Sequence, residues 1–328
     1  MRTFLVIFFI TFSSLTIAQE ANLKLVADYW PPFTNEPNQI AFAQSLVYEA
    51  LSRADVQATT TILPFDDVLA SLRSGDAMGS PALWFSSDRA QHLLYSEPYL
   101  ENQVILVGAK GADVSARSLV DLRGKRIAVV QGYAYGNMDE SGVILIEGAD
   151  QQACLIRVLN GEADYMLVDA LLVNYVMQRQ AEQMVDNLAV GENVLLHKPL
   201  HFAVRKDMEG AESLIAAFNA QIEEMQNDGT YNRILELNSI QKDVDGDGRL
   251  DYVLSSDASG SAPMMASDAY RLYHDQQAET RGSFYVDGQR YATLDEVTAA
   301  HGHNPEALRV EQEVRGDKTG VYLWNFDL

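Results

Sequence analysis

What most constrains this chain is a strand–helix alternation that runs through one series, stops at a break in composition, and starts again. In the first series, Leu23 to Ala27 has the period-two pattern of a strand, and Phe42, Leu46, Ala50 and Leu51 share one face of a helix beginning near Ile40. Thr60 to Leu63 reads as a strand, followed by a short helix with Val68, Leu69 and Leu72 inward that stops at Ser74-Gly75. A strand from Asp76 leads into a helix begun by Ser86 as its N-cap. Val104 to Ala109 is an apolar strand, and the Gly/Ala/Asp/Ser-rich stretch Lys110 to Ser118 is the break.

The second series runs from a strand at Arg126 to Val130 through a turn and helix start from Gly132, to a strand at Val143 to Ile146 and a helix at Ala149 to Leu159. A strand at Ala163 to Val168, a helix at Asp169 to Gln180, a strand at His201 to Val204 and a helix at Ala211 to Met225 complete it. Such alternation predicts two α/β units with mainly parallel sheets, and chain on either side of the second unit can belong to the first. From Gln241 the character changes. An Asp-rich loop and a Ser/Ala/Gly-rich linker (Ser255 to Ala266) precede a hairpin in which Asp287-Gly288 turns Phe284-Tyr285-Val286 back onto Gln289-Arg290-Tyr291. With a helix at Thr293 to Ala300 and a strand at Val321 to Phe326, this tail reads as a small α+β extension.

Composition excludes several classes of function. A formal charge of −22 rules out nucleic acid as an ordinary partner and argues against an anionic membrane surface. Residues 1–18, with Arg2, an apolar run from Phe4 to Ile10 and the small residues before Gln19, read as a secretory signal peptide cut near Ala18. No later stretch reaches the ~18 apolar residues of a membrane span, so an exported chain without direct membrane insertion is expected. The lone cysteine, Cys154, lies on the apolar face of a helix and reads as a buried inert thiol.

Two residues carry the chemistry. Arg89 follows Ser86-Ser87-Asp88, and Asp169 closes the strand Asp164 to Asp169. Arginine grips a carboxylate with paired hydrogen bonds and aspartate pairs with an ammonium, so facing one another they would hold a zwitterion. Taken singly, Arg89 reads more readily as a surface arginine and Asp169 as a helix N-cap.

Four segments then carry a resemblance. They are Trp30-Pro31-Pro32-Phe33; Asp76 to Arg89 continuing to Tyr95-Ser96-Glu97-Pro98-Tyr99; Leu119 to Val129 with Gln131-Gly132; and Phe218 to Leu235 with Asn227-Asp228-Gly229-Thr230-Tyr231. In this order and spacing, residues 23 to about 236 resemble the periplasmic amino-acid-binding proteins of ABC importers, the family-3 extracellular solute-binding proteins. The resemblance implies a two-lobed, type II periplasmic-binding-protein fold. One lobe would span about 19–105 and 205–240 and the other about 110–200, joined by crossing strands near Val104–Ala109 and His201–Val204 and closing on a solute. Residues 241–328 form the extension, with a calcium-binding-like loop at 243–254.

The same resemblance implies an amino-acid-like solute, a membrane permease as partner, and roles for named residues. Arg89 would take the α-carboxylate with backbone N–H groups near Ser86, Asp169 the α-ammonium, and Trp30, beside Tyr29, would form an aromatic wall. Gly132 and Tyr133 would offer backbone N–H groups from the second lobe. The sequence departs from the family at Ser80-Pro81-Ala82-Leu83-Trp84-Phe85, a stretch with an extra residue and a tryptophan where small hydroxyl residues are usual, and at Tyr133-Ala134-Tyr135-Gly136, where a threonine or serine is usual. A more aromatic and smaller cleft follows.

Asp243, Asp245 and Asp247 alternate around Gly246 and Gly248, as in loops that wrap calcium in oxygen ligands. Arg249 could add its carbonyl and Asp251 a carboxylate, while Leu254 stands where an EF-hand has its bidentate glutamate. His301-Gly302-His303 is too sparse for a metal site. A periplasmic receptor for import is the leading reading. A sensor or assembly protein with a calcium-braced tail is the alternative, and a cyclohexadienyl-dehydratase-like enzyme the least supported: Asp169 or Glu162 is conceivable as its general acid, but nothing else in the cleft suggests acid–base chemistry.

Overall fold

The structure, a computed structural model, describes residues 22–173, 187–235, 239–254 and 283–301. Its first unit opens with β1 (Leu23–Ala27), α1 (Phe42–Arg53), β2 (Ala58–Ile62), α2 (Phe65–Ser74), β3 (Gly79–Trp84) and the short β4 (Leu93–Tyr95). The long β5 (Leu100–Ala109) then leads into β6 (Arg126–Val130), β7 (Ile144–Gly148), α3 (Gln151–Leu159), β8 (Tyr165–Asp169) and β9 (Leu188–Val190). A second long strand, β10 (Leu196–Arg205), returns to the first unit, which α4 (Ala211–Asn227) and α5 (Thr230–Ile234) complete.

The strand order β2-β1-β3-β10-β5-β8-β6-β7 explains how the halves join. Each half has parallel strands, β2-β1-β3 in one and β7-β6-β8 in the other. The two ten-residue strands, β5 and β10, cross between them. They pair antiparallel from Leu196↔Val104 to Leu200↔Leu100, then diverge, β10 onto β3 and β5 onto β8. These two connections are the hinge available to two lobes.

Core packing follows the sequence pattern. Phe42, Leu46, Val47, Ala50 and Leu51 of α1 are buried and face α4, whose Ile215, Phe218, Ile222 and Met225 are buried in turn. The Asn227-to-Tyr231 segment ties this helix pair together. Arg53 of α1 donates to Asp228 at 2.7 Å and Thr230 at 2.8 Å, and the Tyr231 hydroxyl donates to the Tyr99 carbonyl at 2.6 Å.

The described part of the extension is a four-stranded sheet, β11 (Ser239–Lys242), β12 (Asp251–Leu254), β13 (Phe284–Val286) and β14 (Gln289–Tyr291), with α6 (Leu294–His301) packed on it. It is seated on the binding unit: Ile240 and Val253 belong to the main core, and Asn232 donates to the Val253 carbonyl at 2.9 Å. The hairpin turns at Asp287-Gly288, both with positive φ, as the sequence predicts.

Three expectations need correction. The strand expected from Asp76 begins at Gly79, because the Asp76 carboxylate is tied to the Ser74 hydroxyl (2.6 Å) in the turn that ends α2. The helix expected from Ser86 is a single 3-10 turn, Arg89–Gln91; the chain has only residues 85–92 in which to connect β3 to β4. Ser86 contributes its carbonyl, which accepts from Ala90 N at 2.8 Å, not a side-chain cap. Of the helix expected over Asp169–Gln180, only 169–173 fall within the described residues, Asp169 closing β8 and 170–173 helical, and the strand expected over Val321–Phe326 lies outside them.

Candidate functional site

In open α/β sheets, ligands bind beyond the carboxyl ends of the strands. Here the chain leaving β1 (Asp28, Trp30), the end of β3 (Ala82, Leu83, Trp84), Phe65 at the start of α2 and Arg89 line a cavity closed from the other half by Tyr133 and Ala134. Its volume is about 10 Å³, room for one water and no more.

Local structure fixes each wall. After β1 the chain folds back so that Trp30 N–H donates to the Thr34 carbonyl at 3.1 Å and the Thr34 hydroxyl to the Asp28 carbonyl at 2.7 Å. That turn sends Trp30 and Phe33 into the core, their ring centroids 4.7 Å apart, while Tyr29 points outward and is 55% exposed. Trp84 is held by its indole N–H, which donates to Asn102 of β5 at 2.6 Å. Phe65 enters α2 behind Pro64, and the Arg89 guanidinium lies 5.8 Å from its ring centroid.

The charges are few and buried. Arg89 is 5% exposed and makes no ion pair with a carboxylate among the described residues. Burial pulls its guanidinium below the ordinary arginine value, with Tyr95, Tyr133 and Asp28 acting in the opposite direction. Asp28 is the carboxylate near it. Burial pushes the Asp28 carboxyl up to about 6, although the Tyr133 hydroxyl bond and Arg89 favour its ionised form.

Tyr133 comes from the second half and fills the space. Its hydroxyl donates to Asp28 Oδ2 at 2.5 Å, and its ring lies 4.8 Å from Phe65, 5.1 Å from Trp84 and 5.5 Å from Trp30, all edge-on. Gly132 makes this approach possible. Its φ of +78° is one L-residues rarely adopt, and a Cβ there would come within 3.3 Å of the Phe65 ring. The Tyr133 N–H donates to the Val130 carbonyl at 3.2 Å, so it is turned back into its own loop.

Of the residues singled out in the sequence, Trp30, Leu83, Trp84, Arg89 and Tyr133 line the cavity, while Tyr29, Ser86, Gly132 and Asp169 do not. Asp169 is buried at the end of β8, and its Oδ1 accepts from Leu171 N (2.7 Å) and Leu172 N (3.3 Å) as a helix cap. Its Oδ2 has no partner in hydrogen-bond geometry among the described residues. Burial lifts this carboxyl to about 7, against the capping Leu171 and Leu172 N–H groups, the Asn102 side chain and the Gln103 N–H. Asp28, Phe65, Ala82 and Ala134 were missed. Asp28 directly follows the carboxyl end of β1 and Phe65 comes three residues after the end of β2, positions that could have marked them.

In the extension, the connection between β11 and β12 brings carboxylate oxygens of Asp243, Asp245 and Asp247 within 4.8 Å of one another, a group that could hold a metal ion. Asp243 organises the loop by accepting from Gly246, Asp247 and Gly248 N–H groups. Arg249 N–H donates to Asp247 at 2.8 Å. Asp251 stands apart: Val244 N and Ser283 N donate to its two oxygens at 3.1 and 2.6 Å, so it braces the sheet.

No helix among the described residues is long and apolar enough to cross a membrane. The chain is 27% identical over 235 residues to the putative ABC transporter arginine-binding protein 2 of Escherichia coli K12, covering 67% of this chain and 91% of that protein. It is likewise 27% identical to the lysine/arginine/ornithine-binding periplasmic protein of the same strain, over 62% of this chain and 82% of the relative. The solved structure of an ancestral arginine-binding protein bound to arginine superposes with a TM-score of 0.56 at 24% identity, covering 66% of this chain and 96% of that one. That likeness shows a shared two-lobed fold. Residues 24–237 match the bacterial extracellular solute-binding proteins, family 3, and the chain belongs to that family.

Proposed function

We propose that this protein is a periplasmic receptor that captures a small zwitterion, an amino acid or close analogue, and presents it to the membrane permease of an ABC importer. The observation that carries this reading is Arg89, a buried guanidinium beside Asp28, facing a cavity without an ion pair among the described residues. A buried charge left unpaired costs several kcal/mol, and a ligand carboxylate relieves that cost. The names of the relatives, which bind arginine, lysine or ornithine, support an amino acid. Asp28 takes the solute's cationic end in this reading, and Asp169 at the end of β8 is the second carboxylate for that role. Trp30, Trp84 and Phe65 supply the apolar walls.

Arg89→Ala tests the reading. The variant is expected to lose binding by about 2–5 kcal/mol, roughly 30-fold or more, while keeping its circular dichroism spectrum. Unchanged affinity would remove the carboxylate role.

We also propose that the Asp243–Asp245–Asp247 loop binds calcium as a structural brace, with Arg249 offering its carbonyl. Asp251, committed to Val244 and Ser283, supports the loop from behind. Calcium is expected to raise the melting temperature of wild type and leave that of Asp245→Ala unchanged. Equal shifts in the two proteins would rule the loop out.

A further inference from the structure

One wall of the cavity between the halves is a side chain that crosses from one half to the other. Tyr133 reaches across from the second half, and its neighbours hold it there. Tyr135, 8% exposed, is anchored in the second half, where its hydroxyl accepts from Val130 N at 3.2 Å, and it stacks on Tyr133 at 6.1 Å. Lys198 of β10, the crossing strand, donates to the Ala134 carbonyl at 2.5 Å and lies 5.6 Å from the Trp84 ring centroid. The loop is thus clamped from the hinge side and aimed at Asp28. The closed cleft leaves Trp30 3% and Trp84 6% exposed.

We infer that Tyr133 is an internal occupant of the solute site: it latches the two lobes together without solute and sets which solutes bind, because an entering molecule must displace the phenol and give Asp28 a new donor. This rests on the receptor reading for its second half only; the latch itself needs no solute. A phenol has the features the site selects for, a flat apolar body that sits among Phe65, Trp30 and Trp84 and a polar tip that bonds a carboxylate. Solutes lacking a donor for Asp28 leave that carboxylate buried and unpaired, so they compete poorly with Tyr133. Occupation also lowers apparent affinity by the fraction of molecules that are plugged: a latch holding about nine-tenths of them weakens binding roughly tenfold.

The test compares solute-free wild type, Tyr133→Phe and Tyr133→Ala, all carrying Trp324→Phe so that fluorescence reports Trp30 and Trp84 alone. Small-angle scattering and acrylamide quenching are measured on the same samples. Tyr133→Ala is expected to show a larger radius of gyration and stronger quenching than wild type, with Tyr133→Phe, which keeps the ring and loses the donor, in between. Dimensions and quenching equal to wild type in both variants would overturn the latch. Titration with each of the twenty L-amino acids follows, and any that binds wild type is expected to bind Tyr133→Ala about tenfold more tightly. An opened variant with no amino acid bound by either protein would sink the receptor reading and leave the latch standing. Binding without any opening in Tyr133→Ala would do the reverse.

Discussion

At the scale of single residues, the site trades stability for function. Arg89 has Asp28 nearby but no ion pair among the described residues, and both groups are buried. Arg89→Leu, which keeps much of the volume and removes the charge, is expected to melt no lower than wild type while losing solute binding. A clear drop in melting temperature would mean that the guanidinium has a structural partner in solution. Asp28 makes a second prediction with a definite sign. Its carboxyl rises from an ordinary 3.8 to about 6 on folding, so the folded state holds the proton more tightly than the unfolded chain. Its contribution is therefore fully present below about pH 4 and lost as pH rises to about 6, an effect of the order of 3 kcal/mol. Solute-free protein should gain melting temperature on acidification from pH 7.5 to 5. Asp169, raised to about 7, works in the same direction, and so does relief of the −22 net charge. The Asp28→Asn variant isolates the Asp28 share: it should gain less, and an identical gain would rule that share out.

At the scale of elements, β5 and β10 carry the architecture, and their packing leaves no slack. The backbone of Gly79 in β3 runs so close to β10 that a Cβ would lie 2.4 Å from the Ala203 carbonyl oxygen. Gly79→Ala must push backbone against backbone, and a loss of about 1–3 kcal/mol in denaturant unfolding is expected. No loss would mean that the strands separate easily there. Elements with strong local signals were legible in the sequence: α1 and α4 from their apolar stripes, β6 from its apolar run, and the hairpin from Asp287-Gly288. Elements made by tertiary pairing were not. The three-residue β4 and β9 have too few residues to show a period and exist because β10 and β5 give them partners. Ser86 looked like a helix cap because capping chemistry is local, whereas the short span to β4, which sets the limit, is not.

At the scale of the whole molecule, aromatic rings and the Tyr133 hydroxyl bond to Asp28 join the two halves across the cleft, beside the paired strands β5 and β10. The resemblance read from four motifs led to the family, the fold and Arg89, since those motifs are contiguous in sequence. It did not lead to Asp28, because a carboxylate's approach to an arginine some sixty positions away depends on how β1 and β3 lie side by side. Asp169 does cap the next helix, the role its residue type and its place at a strand end also allowed. The extension is joined to the binding unit through Asn232, Ile240 and Val253, so calcium at the Asp-rich loop should be felt by the body it is packed on.

The central claim is that a buried arginine holds the carboxylate of a small zwitterion between the lobes. The most direct measurement is thermal melting of wild type and Arg89→Ala against the twenty L-amino acids and glycine betaine, with calcium present. A solute at about 100 times its Kd stabilises the folded state by about 2.7 kcal/mol, a shift of roughly 5–10 °C for a binding unit of this size. At least one compound is expected to give such a shift in wild type and none in Arg89→Ala. The same shift in both proteins, or none in wild type, would contradict it.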